Sequence, residues 1–282
     1  MKNVFRLLGI VLIAVAILSM VGCTPPTPQT PTAFDYEIDN LTQLVGRVRA
    51  VTIMPRSGKS NGSITIYYEG VDGTNYERST MLPLALVEGT YAVTFGVAAA
   101  GNYTSAGNLS AGTLKVRYGI GGIGPGGGEI FYYSAEGFIM TDNNQICHYL
   151  EAADDMPSKL AWASPSYTQT NIATRTVIGT GRKNTALILA TDSKAPAAKA
   201  CKDYRGGGKT DWFLPSFYEL NELRRHFYCS GNALYWCSSQ YDNQEKVWLQ
   251  GREAWILGLA YGEQGTYWPK GKTFSVRPIR AF

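Results

Sequence analysis

Residues 210–220 carry the sequence TDWFLPSFYEL, which holds the clearest local structural signal in the chain. Ser216 stands three residues before Glu219, and this spacing is typical of a capping box in the first turn of a helix. The apolar residues that follow recur at helical spacing and define one face: Leu220, Leu223 and Phe227. The stretch therefore predicts that an apolar run leads directly into an amphipathic helix.

The residues on either side of this helix indicate a mixed domain. Before it, apolar residues predict a helical segment at 184–192, and Pro196 opens another turn that extends through Cys201. After it, the chain returns to short strand-like runs at residues 234–239, 246–250, 254–259 and 274–280. We therefore expect an α+β domain over residues 129–282.

Residues 34–118 have the pattern of a small all-β domain. Apolar, β-branched and aromatic residues alternate or run together in four segments, and turn residues separate them. These segments are residues 48–54, 63–68, 90–97 and 113–117. Short strands at this spacing predict a small sandwich. Residues 89–95 (GTYAVTF) resemble a strand of bacterial immunoglobulin-like modules, and that resemblance implies a spacer.

A glycine-rich run, GIGGIGPGGG, occupies residues 119–128 between the two parts. Gly119, Gly121 and Gly124 formally match the G-x-G-x-x-G pattern of dinucleotide-binding proteins. That motif needs a helix to begin at the glycines, so that amides at the helix N-terminus meet the pyrophosphate. Here Pro125 and further glycines lead into a strand-like run at residues 129–133. We therefore reject nucleotide binding and interpret the run as a domain junction.

Residues 1–22 have the features of an export signal. Lys2 and Arg6 precede an apolar run over residues 7–20, which is too short to predict a transmembrane helix. The run ends in MVGC at residues 20–23, which resembles a lipobox and implies cleavage before Cys23 and lipid attachment to it. An ordinary secretory signal remains the alternative. The Pro/Thr-rich residues 23–33 then predict a semi-rigid stalk.

The net charge of the chain is too small to indicate binding to a polyanion. Loss of residues 1–22 would remove Lys2 and Arg6 and lower the formal net charge from +4 to +2. No run of Lys and Arg of the kind that binds nucleic acid is present in the sequence, so we expect no nucleic-acid partner. A hydrophobic content of 45% is sufficient for a packed core.

Four motifs occur in order along the C-terminal half of the chain. They are GGGEIFY at 126–132, TDWFLPS at 210–216 followed by Glu219 and Leu220, YWCSS at 235–239, and VRPIR at 276–280. Together they resemble the bacterial C-type-lectin-like domains related to the formylglycine-generating-enzyme fold, in the subgroup found in spirochaete lipoproteins. The resemblance implies a C-terminal C-type-lectin-like domain behind the small immunoglobulin-like one.

The lipobox and the aromatic tract at 240–270 extend this resemblance to lipoproteins diversified by a retroelement. That family implies a rigid scaffold whose variable side chains recognise a protein or another surface ligand non-covalently. It also implies a lipid anchor in a bacterial membrane, with exposure at the outer membrane and the cell surface. An invariant envelope structural lipoprotein is one alternative to this interpretation.

The candidate binding face lies in the tract where polar and aromatic residues alternate with strand-like runs. Large aromatic side chains dominate binding surfaces because they supply contact area at low entropic cost. The predicted ligand-binding residues are Tyr241, Asp242, Gln244, Glu245, Arg252, Glu253, Trp255, Tyr261, Glu263, Gln264, Tyr267 and Trp268. Each could instead be a solvated loop residue, and the tryptophans could belong to the core. We assign three other tryptophans to the core: Trp212, Trp236 and Trp248.

The sequence offers little metal or catalytic chemistry, and we predict no cofactor. Calcium-dependent lectins carry EPN or QPD with WND, and none of these occurs here. Asp242 and Asn243 supply too few oxygen ligands for calcium, which takes about six to eight. The only histidines are His148 and His226, without a nucleophile-elbow motif or clustered Cys/His spacing. We therefore expect a protein that is not an enzyme.

Cysteine chemistry provides the enzymatic alternative. Four cysteines remain beside Cys23: Cys147, Cys201, Cys229 and Cys237. Export permits disulfides, and because Cys229 and Cys237 flank a Gly-Asn turn we favour them as a pair among the possible pairings. Formylglycine-generating enzymes use reactive cysteines, and Cys237 has a comparably late position. A Cys-dependent oxidoreductase on the same fold is therefore the second alternative.

Overall fold

A computed structural model of the chain describes residues 26–227, 233–242, 250–258 and 265–282. Cys23, Cys229 and Trp248 lie outside these residues, as does all but the last residue of the strand predicted at 246–250. Within them, no helix is long and apolar enough to cross a membrane. Three α-helices and a larger number of strands confirm the predicted α+β class.

The first part of the described chain contains six strands. They are β1 (Tyr36–Asp39), β2 (Thr42–Leu44), β3 (Thr52–Pro55), β4 (Ile64–Val71), β5 (Gly89–Val97) and β6 (Ala106–Arg117). Four of them form a sheet in the order β2-β6-β5-β4, and β1 pairs with β3. Strand β5 shows why this sheet has an inner face, because alternate residues from Tyr91 to Val97 are buried while those between them are half-exposed.

The strands predicted for this part differ from the observed ones at their ends. β5 agrees with the expected 90–97 to within one residue, whereas β3 covers only the end of the run predicted at 48–54. β1 and β2 have three or four residues each and no long apolar run, so periodicity did not reveal them. β6 begins well before the predicted 113, because its first residues are largely exposed and polar.

The second part contains all three α-helices and eight strands. They are β7 (Glu129–Ile139), β8 (Ile146–Ala152), β9 (Leu160–Ala161), α1 (Gly181–Thr191), α2 (Pro196–Asp203), α3 (Phe217–His226), β10 (Leu234–Gln240), β11 (Glu253–Gly258), β12 (Thr266–Pro269), β13 (Thr273–Phe274) and β14 (Ile279–Ala281). They form three sheets, β14-β8-β7, β10-β11-β12 and β13-β9. The strand predicted at 274–280 is therefore two short strands, which pair with different partners.

The capping box predicted for α3 is present. Ser216 Oγ accepts a hydrogen bond from the Glu219 amide, and Glu219 Oε2 accepts one from the Ser216 amide at 2.7 Å. Glu219 is fully buried and also accepts from the Gly179 amide at 2.8 Å, so one carboxyl group joins α3 to the loop before α1. Burial raises the pKa of Glu219 to about 7, although these hydrogen bonds act in the opposite direction.

A second buried carboxyl group organises the glycine-rich junction. Glu151 in β8 accepts hydrogen bonds from the amides of Gly126 and Gly128, each at 3.0 Å, and from Arg280 Nη1 at 2.8 Å. Burial raises the pKa of Glu151, while Arg280 and the two amides lower it. As expected, the junction leads into a strand and not a helix. The protein's own carboxyl group thus occupies amides that a nucleotide phosphate would need.

The two parts meet through the junction. The Ile123 amide donates to the Val45 carbonyl at 2.9 Å, and Arg47 forms an ion pair with Glu129 at 3.2 Å. The ring of Tyr118 meets the ring of Phe282 edge-on, with the centroids 5.3 Å apart. Polar, charged and aromatic contacts therefore all connect the first part to the sheet that contains β7, β8 and β14.

Candidate functional site

Three of the predicted binding residues form one cluster, which we call the aromatic face: Tyr241, Trp255 and Tyr267. In the β11–β12 ladder Trp255 lies directly opposite Tyr267, and Tyr241 follows the end of β10. The Tyr241 and Tyr267 rings are stacked, with centroids 3.7 Å apart and planes 6° from parallel. The Trp255 ring meets Tyr241 edge-on at 4.9 Å. The structure thus brings these side chains together on one surface.

The aromatic face is attached to the core through Phe217. This first residue of α3 lies 4.9 Å from Trp255, measured between ring centroids. Trp255 itself is half-buried and packs against the core cluster that contains Leu220 and Leu257. The inward residues of β11, Ala254 and Ile256, are completely buried. Both faces of β11 therefore contact the core, and only Glu253 and Trp255 of this strand are partly exposed.

Trp268 does not join this cluster. Neighbouring residues of a strand point to opposite faces, so Trp268 leaves β12 on the side away from Tyr267. Its ring lies 5.8 Å from Phe274, which in turn meets the buried Trp236 at 5.0 Å. Trp268 is 41% exposed. It therefore belongs to a second, separate aromatic surface.

The polar candidates are placed only in part. Asp242 and Arg252 are exposed, and Glu253 is half-buried at the start of β11 opposite Pro269. Five predicted residues lie outside the described part of the chain: Gln244, Glu245, Tyr261, Glu263 and Gln264. Of the tryptophans assigned to the core, Trp212 and Trp236 are buried, as predicted.

A cleft of about 400 Å³ adjoins the aromatic face. Tyr241, Asp242 and Trp255 line it, together with Gln240. The segment 174–177, which contains Arg175, also lines it, and we call this segment the wall. Sequence reasoning missed this wall, because residues 174–177 precede α1 and are far from the aromatic tract in the sequence. No local pattern there signals that they face it.

The wall segment is held by buried polar side chains. The Arg175 amide donates to Asn184 Oδ1 at 2.9 Å. Its carbonyl accepts from Asn184 Nδ2 at 2.6 Å and from Ser239 Oγ at 2.8 Å. Asn184 and Ser239 are both nearly or fully buried. The backbone at Arg175 is therefore fixed, although its side chain is exposed.

Lys270 is a fully buried lysine that is bonded to Gln240, one of the residues that line the cleft. Its Nζ donates to Gln240 Oε1 at 2.7 Å and to the Thr170 carbonyl at 2.8 Å, and it lies 4.4 Å from the centre of the Trp162 ring. Within the described residues, no carboxylate lies within ion-pairing distance of it. Burial lowers the pKa of Lys270 to about 7.

Gln240 connects Lys270 to the wall of the cleft. Its backbone amide donates to Thr174 Oγ1 at 2.7 Å, and its side-chain Oε1 also accepts from the Ile172 backbone amide at 2.9 Å. Its Nε2 donates to Asn171 Oδ1. Gln240 therefore joins Lys270, which follows β12, to residues 171–174: its side chain bonds Asn171 and Ile172, and its backbone bonds Thr174. This network was not predicted, since lysine is rarely buried and its partners are distant in sequence.

Cys237 does not have the surroundings of a reactive thiol. It is completely buried in β10, and its thiol donates to the Trp255 carbonyl at 3.2 Å. Burial raises the pKa of Cys237 to about 12, so the thiolate is scarce near neutral pH. Cys237 is also a free thiol, so the predicted Cys229–Cys237 disulfide is wrong. The alternation of β10 directs this side chain into the core.

The remaining groups with possible chemistry are dispersed. His148 Nδ1 lies 2.9 Å from the Ser134 carbonyl oxygen, and His226 Nε2 lies 3.1 Å from Glu129 Oε1. Cys147 and Cys201 are buried free thiols, and burial raises the pKa of both. Across the described ranges, no three His, Cys, Asp or Glu side chains are grouped so that they could hold a metal ion.

Comparison with known protein-family models finds no match, and no curated protein sequence matches the chain significantly.

Proposed function

We propose that this chain is an exported, lipid-anchored binding protein whose C-terminal domain recognises a surface ligand non-covalently. The observation that carries the proposal is the aromatic face beside the cleft. It consists of rings that meet each other at the surface while the backbone beneath them is held by buried residues of β10 and β11. Rigid aromatic side chains on a fixed scaffold bind with little loss of conformational entropy.

The same geometry suits a surface that changes its side chains. Ala254 and Ile256 contribute to the core, whereas Tyr267 is exposed and Tyr241 is half-buried. Exposed positions usually tolerate substitution within about 0.5 kcal/mol. New side chains could therefore appear on the aromatic face without loss of the scaffold, as retroelement diversification requires.

The motif resemblance supports this function. The first motif leads into β7 and the last lies in and before β14, and both strands pair with β8 in one sheet. The YWCSS motif forms β10 beneath the aromatic face. We propose a C-type-lectin-type fold for this domain, most like that of Treponema variable protein A, with an immunoglobulin-like spacer before it.

The decisive experiment is to sequence the 3′ end of the gene and its flanking DNA in many isolates. The proposal expects substitutions at Tyr241, Trp255 and Tyr267, with Trp236 and Ile256 unchanged. It also expects an imperfect downstream copy that differs at template adenines, beside a reverse-transcriptase gene. A fixed aromatic face without such a gene would contradict diversification and favour an invariant envelope protein.

The anchor is tested by labelling with palmitate in the native host. Cys23→Ser should abolish incorporation of label, whereas Cys147→Ala should retain it because that thiol is buried. Protease treatment of intact cells should then cleave the stalk if the chain is on the cell surface. Label that persists in the Cys23 variant would contradict lipid attachment at this residue.

A further inference from the structure

The cleft presents the cationic side chain of Arg175 from a backbone that is held in place. Arg175 lines the cleft with an exposed side chain, while three buried residues bond its main chain. Thr180 Oγ1 donates to its carbonyl at 3.3 Å, in addition to the bonds from Asn184 and Ser239 described above. The backbone at this point of the cleft therefore needs no ordering when a ligand binds, and only the exposed Arg175 side chain has to adopt its bound conformation.

The charge of Arg175 is not satisfied within the described part of the chain. No carboxylate there lies within 4.0 Å of its guanidinium, although ten other ion pairs are formed. Asp242 lines the same cleft and has an interaction partner of its own, but it forms no ion pair with Arg175 within the described residues. The cleft therefore offers a positive charge that an incoming group can neutralise.

Aromatic residues line the same cleft. Tyr241 and Trp255 line the cleft with their rings in edge-on contact, so a ligand held by Arg175 would also touch an aromatic surface. Thr174 and Thr176 lie beside Arg175 and can supply hydroxyl groups. About 400 Å³ is at the small end of ligand-binding clefts, which suits one or two side chains and not a large molecule.

We propose that this cleft is a subsite for a carboxylate on an acidic polypeptide segment, with Arg175 as its anion-binding residue. A guanidinium presents a planar set of donors that matches the two oxygens of a carboxylate. The inference rests on the proposed binding function and names the chemistry of one part of the ligand. It assigns that part to residues 174–177, outside the tract proposed to vary.

The test is a titration of the full chain with the peptide acetyl-Glu-Tyr-Glu-amide, observed through the indole N–H resonance of Trp255. The control peptide acetyl-Gln-Tyr-Gln-amide has the same size and no carboxylate. Inorganic phosphate is a third probe, which separates carboxylate from phosphate recognition. Arg175→Gln removes the charge, Arg175→Lys retains it without the planar fork, and Arg49→Gln is a matched change at an exposed arginine of the first part.

We expect the acidic peptide to shift the Trp255 resonance saturably, and Arg175→Gln to weaken its binding about tenfold. Arg175→Lys should lie between, and Arg49→Gln should match the unmodified chain. Equal binding of the acidic and neutral peptides, unchanged binding by Arg175→Gln, or a preference for phosphate would overturn the proposal. Fixed sequences among isolates would remove the variable-face function but leave an Arg175-dependent titration intact, so the two failures are distinguishable.

Discussion

The ring of Tyr241 lies flat against the ring of Tyr267, although the two residues belong to different segments of the sheet. Tyr267 is in turn paired across the ladder with Trp255, whose ring stands at 89° to it. Each ring thus fixes the position of the other two. The aromatic face behaves as one unit, so a change at any member alters the shape that the others present.

Replacement of Tyr241 tests this coupling. We expect Tyr241→Ala to lower the free energy of unfolding by about 1 kcal/mol more than Tyr241→Phe does, because only the phenylalanine keeps the stacked ring. A double-mutant cycle with Tyr267→Ala, measured by urea unfolding, gives the coupling of the pair. Tyr167→Ala is the control, since that tyrosine is also partly exposed and makes no ring contact with another described residue. Additive effects of the two substitutions would contradict the stack.

Lys270 predicts a specific dependence of stability on pH. Its pKa is about 7 in the folded protein and near 10.5 when unfolded, so the unfolded chain binds more protons between these values. The free energy of unfolding should therefore rise as the pH increases from about 7 to 10. Below pH 7 the destabilisation caused by burying the protonated amine of Lys270 should be at its full value. The change in the free energy of unfolding that Lys270→Met causes should be more stabilising at pH 6 than at pH 10, by a few kcal/mol.

The measurement for Lys270 is urea unfolding of both proteins at pH 6, 8 and 10. The contributions of all other titrating groups are common to both proteins, so they cancel in the difference between the two free energies of unfolding. Lys272→Met is the matched control, because this neighbouring lysine is exposed and its variant should show no such trend. A difference between Lys270→Met and the unmodified protein that stays constant with pH would show that the buried amine is not the group that titrates.

Arg280 and Arg277 should differ greatly in their effect on stability. Arg280 bonds the fully buried Glu151 at 2.8 Å, so Arg280→Met leaves a buried carboxyl group without its charged partner. We expect a loss of about 3–5 kcal/mol. Arg277 is also mostly buried, but its partner Asp155 is 39% exposed and stays solvated without it, so Arg277→Met should cost less than Arg280→Met. Similar losses in thermal or urea unfolding would refute this account of the junction.

The buried thiol of Cys237 should resist modification. With its pKa raised to about 12 and no exposed surface, it should react with iodoacetamide only after unfolding. Peptide mapping by mass spectrometry, before and after addition of urea, distinguishes Cys237 from the other cysteines. Rapid labelling of Cys237 in the folded chain would instead revive the oxidoreductase alternative.

The local signals in the sequence predicted local structure well. Ser216 and Glu219 form the expected capping box, and Trp212 and Trp236 are buried as their motifs indicated. Helix α1 begins three residues before the predicted 184, because Glu219 accepts from the Gly181 amide at 3.4 Å and that carboxyl group is distant in sequence. The predicted type of each segment was thus more accurate than its predicted ends, because tertiary contacts determine where a segment ends.

The sequence predicted the aromatic residues of the candidate site but not the polar residues beside them. Aromatic content pointed to Tyr241, Trp255 and Tyr267, which the fold brings together, but it could not separate Trp268 from them without the pairing register of β11 and β12. Arg175 and Lys270 carried no local signal at all. Their positions depend on Asn184, Ser239 and Gln240, which are polar residues that a periodicity argument treats as surface.

The ion pair between Arg280 and Glu151 also sets an order of events as the polypeptide emerges. β7 and β8 are made first, but Glu151 lacks its cationic partner until β14 has been synthesised. Pairing between such distant segments is slow, because the loop between them must close first. Until then this sheet lacks one of its strands, and within it Glu151 has only the amides of Gly126 and Gly128 as partners.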